Sequence, residues 1–303
     1  MTATMTARPA GPSTPRTSRR RSPAPRKPRP LPPLSDPRLA ATVAAVTLVV
    51  LAGWFVLQTV ALGALSQGRA QSVLHSALRE QLEAQTAPTG AVEPGDPVAL
   101  LRIPTLGLEQ VVVEGTASSD LQAGPGHRRD SPLPGQRGVS TIYGKSFTWG
   151  APFRSVGTLL PGDGIEVTTA QGKFVYRVVG VRRADDPLPD TTPPARLTLV
   201  TADVSSFMPS GVLYVDAVLI GDPVVGAGRV STVPASEAAR GTDSSGLPLL
   251  AVGLGVLLAT VLGVVRLHGT LPVRVLWTLG LPVVLAALWL TGTQTAQLLP
   301  NLF

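Results

Sequence analysis

The sequence contains no cysteine in 303 residues, and this absence excludes several kinds of chemistry. A chain without cysteine forms no disulfide, no thiolate metal site and no thiolate nucleophile. Histidine is scarce as well, because the chain holds only three, at His75, His127 and His268. Such isolated residues do not have the spacing of a metal site. We therefore expect neither a metal nor a cofactor, and any catalysis would need other side chains.

Aromatic residues are also few, at 4% of the chain, and none precedes Trp54. The segment 1–38 holds nine of the 26 Lys and Arg residues and one of the 19 Asp and Glu residues, a net charge of +8. Without an aromatic residue to stack on bases, this tail does not indicate nucleic-acid binding. Its Pro, Ser, Thr and Arg content predicts a disordered cytoplasmic tail that is attracted to an anionic membrane surface.

Charge is absent from residues 39–65, an apolar run long enough to cross a hydrocarbon core of about 30 Å. Residues 247–265 and 275–292 are two further spans, and the loop 266–274 between them is basic. Because positive charge favours the cytoplasmic side, the pattern predicts the N-terminus and this loop inside. The segment between the first and second spans would be extracellular, as would a short C-terminus at 293–303. The lipid bilayer is thus a predicted partner, and the cell membrane is the predicted location.

Two segments outside the membrane differ in composition from the region that they flank. Residues 66–95 begin with apolar side chains at helical spacing, which predicts a stalk helix followed by a linker. Residues 223–246 are rich in Gly, Ala, Ser, Thr and Pro and predict a flexible linker. Between them, residues 96–222 contain short runs of β-branched residues that are separated by Gly, Pro and Asp turns. This region predicts one β domain, either a sandwich or a barrel.

Several short motifs distinguish between these two folds because of their order and spacing. They are Leu101-Arg102-Ile103-Pro104, Val113-Glu114-Gly115-Thr116, Gly124-Pro125-Gly126-His127, Gly150-Ala151-Pro152-Phe153, Leu160-Pro161-Gly162-Asp163 and Leu197-Thr198-Leu199-Val200-Thr201. In this arrangement the region resembles the sortase family, with an actinobacterial class E/D-like pattern. The resemblance implies an all-β, sortase-like closed barrel of about eight strands with short helices. The predicted fold is this barrel plus three transmembrane α-helices.

The resemblance also implies where a sortase would carry its catalytic groups. Sortases use a cysteine, a histidine and an arginine, and the matching positions here hold Ala202, Lys145 and Val212, with Gly211 next to the last. Acyl transfer needs an activated nucleophile and a donor for the developing oxyanion. We therefore predict a pseudoenzyme, with a groove formed by five residues: Lys145, Thr201, Ala202, Ser205 and Ser206.

Two functions from different classes fit such a groove. One is a binding or scaffolding protein for a sorting-signal-like peptide, a wall precursor or an active sortase. The other is an enzyme in which Ser205 or Ser206 replaces the cysteine and Lys145 acts as its base. His127 lies apart from the matched histidine position and is predicted to pack or form hydrogen bonds beside a turn.

A long connection between two predicted strands contains the run Leu188-Pro189-Asp190-Thr191-Thr192. Sortase substrates carry the pattern Leu-Pro-x-Thr-Gly, so the run resembles a substrate within the chain itself. A tethered copy of a ligand competes with ligand in solution. These five residues are therefore a candidate regulatory loop. An accidental match is the favoured interpretation, because the chain is rich in Pro and Thr and the run lacks the Gly.

Overall fold

The computed structural model describes residues 37–188, 193–203, 211–226, 228–267, 270 and 272–303. Residues 48–303 form one compact unit, and the described residues 37–47, the beginning of the first helix, belong to another. The helices of the described part are Pro37–Val56 (α1), Gly63–Glu83 (α2), Leu247–Leu267 (α3) and Val273–Gln297 (α4), with a π-helical stretch at Leu57–Leu62 between α1 and α2.

Among the described residues, three helical stretches have the length and apolar composition of membrane spans. They are Val49–Glu83, Leu247–Val264 and Thr278–Gln297. The prediction of three apolar helices of spanning length is confirmed. The first stretch extends past the predicted span at 39–65, because α1, the π-helical stretch and α2 follow one another without a break.

Eight strands form a closed barrel in this part of the chain, which confirms the predicted fold class. Their order around the barrel is β1-β2-β3-β4-β7-β8-β6-β5. The strands are Pro97–Ile103 (β1), Leu108–Glu114 (β2), Gly126–His127 (β3), Gly138–Tyr143 (β4), Gly164–Thr169 (β5), Gly172–Arg183 (β6), Ala195–Asp203 (β7) and Gly211–Ile220 (β8).

Strand β7 is buried on both faces, because its alternate side chains pack in two different apolar clusters. Leu197 and Leu199 belong to the core inside the barrel, whereas Val200 and Ala202 belong to a second apolar cluster. Since successive side chains of a strand point to opposite faces, the second cluster lies outside the barrel wall. A strand of this kind needs cover on its outer face, and other parts of the chain supply it.

Helix α2 packs against β2 through Gln71, although the sequence predicts only a stalk there. The Val111 amide donates to Gln71 Oε1 at 2.7 Å, and Gln71 Nε2 donates to the carbonyl oxygens of Val111 at 3.1 Å and Ala123 at 2.8 Å. Strand β3 is two residues long and pairs with β2 at Val113 and Glu114 alone, so it leaves the rest of this edge of β2 open. The buried glutamine satisfies main-chain groups that would otherwise lose hydrogen bonds.

A second polar side chain joins the π-helical stretch to α4. Gln58 Nε2 donates to the Trp289 carbonyl at 2.8 Å and to Thr293 Oγ1 at 3.0 Å. Gln58 is buried, and a hydrogen bond between helices is favoured where water is excluded. This contact fixes the end of α4, and the chain beyond it continues toward the barrel.

Candidate functional site

The ends of β4, β7 and β8 meet on the outer face of the barrel. Strand register pairs Ala202 of β7 with Val212 of β8. The Gly144 amide donates to the Val200 carbonyl at 3.0 Å, and Thr201 Oγ1 donates to the Gly144 carbonyl at 2.9 Å. These two bonds hold the residues that follow β4 against the end of β7. The structure therefore brings Lys145 close to the end of the strand that carries Ala202.

The outer apolar cluster forms a pocket around one residue from the far end of the chain, Leu302. This side chain has no exposed surface. The buried residues of the cluster besides Leu302 are Leu121, Tyr143, Val200, Ala202 and Val212. Ala202 and Val212, two of the three positions that the sequence resemblance assigns to catalytic groups, thus contribute apolar surface to the pocket of a leucine.

Lys145 occupies the third matched position and is almost completely buried, with 1% of its surface exposed. Its Nζ donates to the main-chain oxygens of Asn301 at 3.0 Å and Phe303 at 3.1 Å, and to Ser118 Oγ at 3.4 Å. Burial lowers the pKa of the Lys145 amine to about 7, because desolvation disfavours its charged form. The amine is directed at a chain segment inside the protein and not at solvent.

The residues after Lys145 continue this main-chain recognition. Ser146 donates to the Leu302 carbonyl through its amide at 3.1 Å and through Oγ at 3.3 Å. Thr148 Oγ1 donates to the main-chain oxygen of Phe303. The main-chain oxygens of Asn301, Leu302 and Phe303 therefore all accept hydrogen bonds from the segment 145–148.

The opposite wall of the groove comes from the segment that the sequence predicts as a flexible linker. Asn301 Nδ2 donates to the carbonyls of Thr116 at 2.7 Å and Ala238 at 3.0 Å, and the Asn301 amide donates to the Gly241 carbonyl at 2.9 Å. Arg129 pairs with Glu237 at 3.2 Å, and Thr116 Oγ1 donates to the Glu237 carbonyl at 2.7 Å. These bonds attach the 237–241 stretch of the linker to the barrel.

The structure thus brings together Lys145, Thr201, Ala202 and Val212 of the predicted positions. Ser205 and Ser206 lie outside the described residues, and so do Pro189, Asp190, Thr191 and Thr192. Leu188 is exposed. Sequence reasoning missed Ser118 and the segment 301–303, which contacts Lys145 from 156 or more residues away. No sequence motif at Ser118 or at 301–303 indicates that these residues contact Lys145.

His127, which sequence reasoning set apart from the site, is buried in a polar cluster of its own. Its Nδ1 lies 2.9 Å from Glu114 Oε2, and its Nε2 lies 3.0 Å from the Pro132 carbonyl and 3.1 Å from Ser131 Oγ. Both ring nitrogens therefore have partners within the barrel. In the described part of the chain, no group of three or more His, Cys, Asp or Glu side chains could hold a metal ion.

Asp120 lies beside this groove, next to Leu121, and its environment predicts a pH effect. Burial raises the pKa of the Asp120 carboxyl to about 6 against the opposing hydrogen bond from the Ala117 amide. Because this pKa is higher in the folded state than in the unfolded state, protonated Asp120 stabilises the fold at low pH. This stabilisation is lost as pH rises through about 6. Relative to Asp120→Asn, the wild type should therefore lose about 2 kcal/mol between pH 4.5 and 7.5.

This difference can be measured by urea unfolding of both proteins in detergent micelles at the two pH values. Asparagine keeps an oxygen that can accept the Ala117 amide, so the comparison isolates the titration. A difference between the proteins that stays constant with pH would contradict the prediction.

Comparison with known proteins finds matches to sortases over part of this chain. The family model described as Sortase domain matches residues 101–211. Sortase D of Bacillus subtilis is 34% identical over 93 residues, or 31% of this chain and 46% of that protein. Sortase SrtE1 of Streptomyces coelicolor is 33% identical over 111 residues, or 34% of this chain and 30% of that protein. The chain thus spans less than half the length of each of these curated relatives.

Among solved structures, a Sortase D5 transpeptidase of Clostridium perfringens is similar to this chain at 24% identity and a TM-score of 0.43. The alignment covers 50% of this chain and 99% of that structure. The family model covers the barrel from within β1 to the start of β8.

Proposed function

We propose that this protein, whose barrel matches the Sortase domain family model over residues 101–211, is a membrane-anchored binding or scaffolding protein and not a transpeptidase. Candidate ligands are a sorting-signal-like peptide, a wall precursor or an active sortase. A shared fold does not carry a shared activity, so the argument depends on the groups at the site.

The observation that carries this proposal is the chemistry at the three matched positions. Ala202 presents a methyl group, Val212 an apolar side chain, and both pack in the cluster around Leu302. Lys145 donates its hydrogen bonds within the protein. Acyl transfer needs a nucleophile and a fixed donor for the oxyanion, and neither Ala202 nor Val212 supplies one. The main-chain hydrogen bonds that the site makes to residues 301–303 support a peptide-binding role.

An enzyme with a substitute nucleophile is the second candidate, and one observation favours it. Lys145 has a lowered pKa, and its Nζ lies 3.4 Å from the hydroxyl of Ser118. A lysine of this kind can act as a general base. Against this, both side chains are buried and the groove is filled by residues 301–303. Ser118 therefore joins Ser205 and Ser206 as a residue to test.

We further propose that the barrel lies outside the cell membrane, with residues 1–38 in the cytoplasm. The basic residues at 1–38 and in the loop 266–274 support this orientation. The contact between the barrel and residues 301–303 is consistent with it. Since α3 and α4 separate the barrel from these residues, two crossings return the chain to the barrel's side.

Incubation of the full chain in detergent micelles with a doubly labelled Leu-Pro-x-Thr-Gly peptide and a glycine-based amine tests the proposal. We expect no cleaved peptide, no amine conjugate and no mass added to the protein, because Ala202 provides no nucleophile and the Ser118 hydroxyl is buried. If cleavage occurs, Lys145→Met and Ser118→Ala identify its origin. Turnover that either substitution abolishes would overturn the binding function in favour of a Ser-Lys enzyme.

A further inference from the structure

The groove of the barrel is filled by the chain's own residues Pro300–Phe303, here called the plug segment. We propose that the groove is a peptide-binding site, that the plug segment is its resident ligand, and that it selects an asparagine followed by a medium-sized aliphatic residue. This inference deepens the proposed binding function and rests on it.

Main-chain recognition is the first part of the argument. Lys145 Nζ bonds the main-chain oxygens of Asn301 and Phe303, and Ser146 bonds the oxygen between them, that of Leu302. Donors to three consecutive main-chain oxygens hold a peptide whatever its side chains are. Because these donors are buried, an empty groove would leave them without partners unless water entered. The groove is therefore built to contain a peptide.

Side-chain selectivity follows from two different pockets. Leu302 fills the apolar pocket of the outer cluster, where a charged side chain would lose its hydration without a partner. The side-chain nitrogen of Asn301, Nδ2, donates two hydrogen bonds, to the carbonyl oxygens of Thr116 and Ala238. Aspartate has no such donor and would place its oxygens against these carbonyls. The pair Asn-Leu is thus what the two pockets select.

Tethering determines how strongly the plug segment competes with a free peptide. The end of α4 is held by Gln58, and Leu298 and Leu299 alone separate Gln297, its last residue, from the plug segment. A short tether of this kind gives an effective concentration in the millimolar range. A free peptide therefore has to displace the plug segment before it can bind.

The first test measures binding of a fluorescent peptide with the sequence of residues 297–303, Gln-Leu-Leu-Pro-Asn-Leu-Phe, to the full chain in detergent micelles. Leu302→Asp in the protein should release the plug segment and strengthen peptide binding at least about tenfold over the wild type. Peptides with Asp in place of the leucine that matches Leu302, or of the asparagine, should bind the variant at least about tenfold more weakly. Equal affinity of wild type and variant, or no binding to either, would overturn the inference.

The second test uses the absence of cysteine and does not depend on an added peptide. Ala202→Cys places a thiol in the covered pocket, so a maleimide should label it slowly in the otherwise wild-type chain. In the Leu302→Asp background the same thiol should react quickly. Ser76→Cys, on the exposed face of α2, is the matched control and should react equally in both. Asn301→Ala is a second release variant in case Leu302→Asp does not fold.

The two proposals fail in different ways. Equal labelling of Cys at position 202 with and without Leu302→Asp would overturn occupancy by the plug segment and leave a non-catalytic groove intact. Cleavage of the peptide would overturn the non-catalytic function and leave occupancy intact.

Discussion

Replacement of Gly144 by alanine should lower the free energy of unfolding by about 3 kcal/mol, at the upper end of the usual cost of overpacking a core. A Cβ at this position would lie 2.4 Å from Cγ and from Cδ2 of Phe153. The Phe153 ring has no exposed surface and packs in the barrel core, so it has no free space to enter. The Gly144 backbone is also fixed, by its bonds to Val200 and Thr201.

Urea unfolding of the solubilised chain measures this cost, and two variants show whether it comes from the contact. Gly164→Ala is the matched control, because a Cβ at Gly164 meets no atom within 4 Å. Phe153→Leu should reduce the penalty of Gly144→Ala, because the smaller side chain leaves room for the methyl group. Additive losses in the double variant, or an equal loss in Gly164→Ala, would contradict the contact as the cause.

This contact also connects the core to the groove. Gly144 immediately precedes Lys145, so any shift that relieves the clash displaces the amine that holds the plug segment. We expect the Gly144→Ala chain to expose the groove as well as to lose stability. Faster maleimide labelling of a cysteine at position 202 in this background would report that effect.

Much of the fold could be predicted from local pattern. Alternation along β7 sends Leu197 and Leu199 into the barrel, and long uncharged runs mark the helices of spanning length. Both signals depend on residues within a few positions of each other. The barrel itself followed from several short motifs in order, since alternation alone does not distinguish a barrel from a sandwich.

The occupant of the groove could not be predicted, because it depends on contacts across more than half of the chain. Lys145 and Asn301 are 156 residues apart, and neither has an unusual neighbour in sequence. Pattern reasoning considered only the run that begins at Leu188 as a tethered ligand, and residues 189–192 of that run lie outside the described part of the chain. The structure places Asn301 and Leu302 in the groove.

The contacts of the predicted linker at 223–246 are long-range as well. The Gly, Ala, Ser, Thr and Pro content of 223–246 predicts flexibility, but a few specific bonds suffice to order a short stretch. Glu237 supplies them through Arg129 and through its carbonyl to Thr116. Glu237 is one of two acidic residues in the segment, and its sequence neighbours do not reveal a partner that lies 108 residues away.

Restoring the three sortase groups should produce transpeptidation only when they are combined and the groove is opened. We expect Lys145→His, Ala202→Cys and Val212→Arg together with Leu302→Asp to exceed each single substitution by about a hundredfold or more, because groups that act as a unit are strongly non-additive. Val212 is the better position for the arginine, since it pairs with Ala202 and packs in the cluster that contains Leu302. Gly211 pairs with Asp203 instead and provides the companion variant.

The Leu302→Asp substitution distinguishes two causes of inactivity, the missing catalytic groups and the plug segment that covers the site. The same triple variant with Leu302 intact should form product much more slowly, because the plug segment covers the new thiol. Product formation from a labelled Leu-Pro-x-Thr-Gly peptide and a glycine-based amine measures both effects. Turnover by Ala202→Cys alone would show that Lys145 and Val212 already support the reaction, since a single thiol would then restore the activity. Equal rates with and without Leu302→Asp would show instead that the segment leaves the groove faster than the peptide reacts.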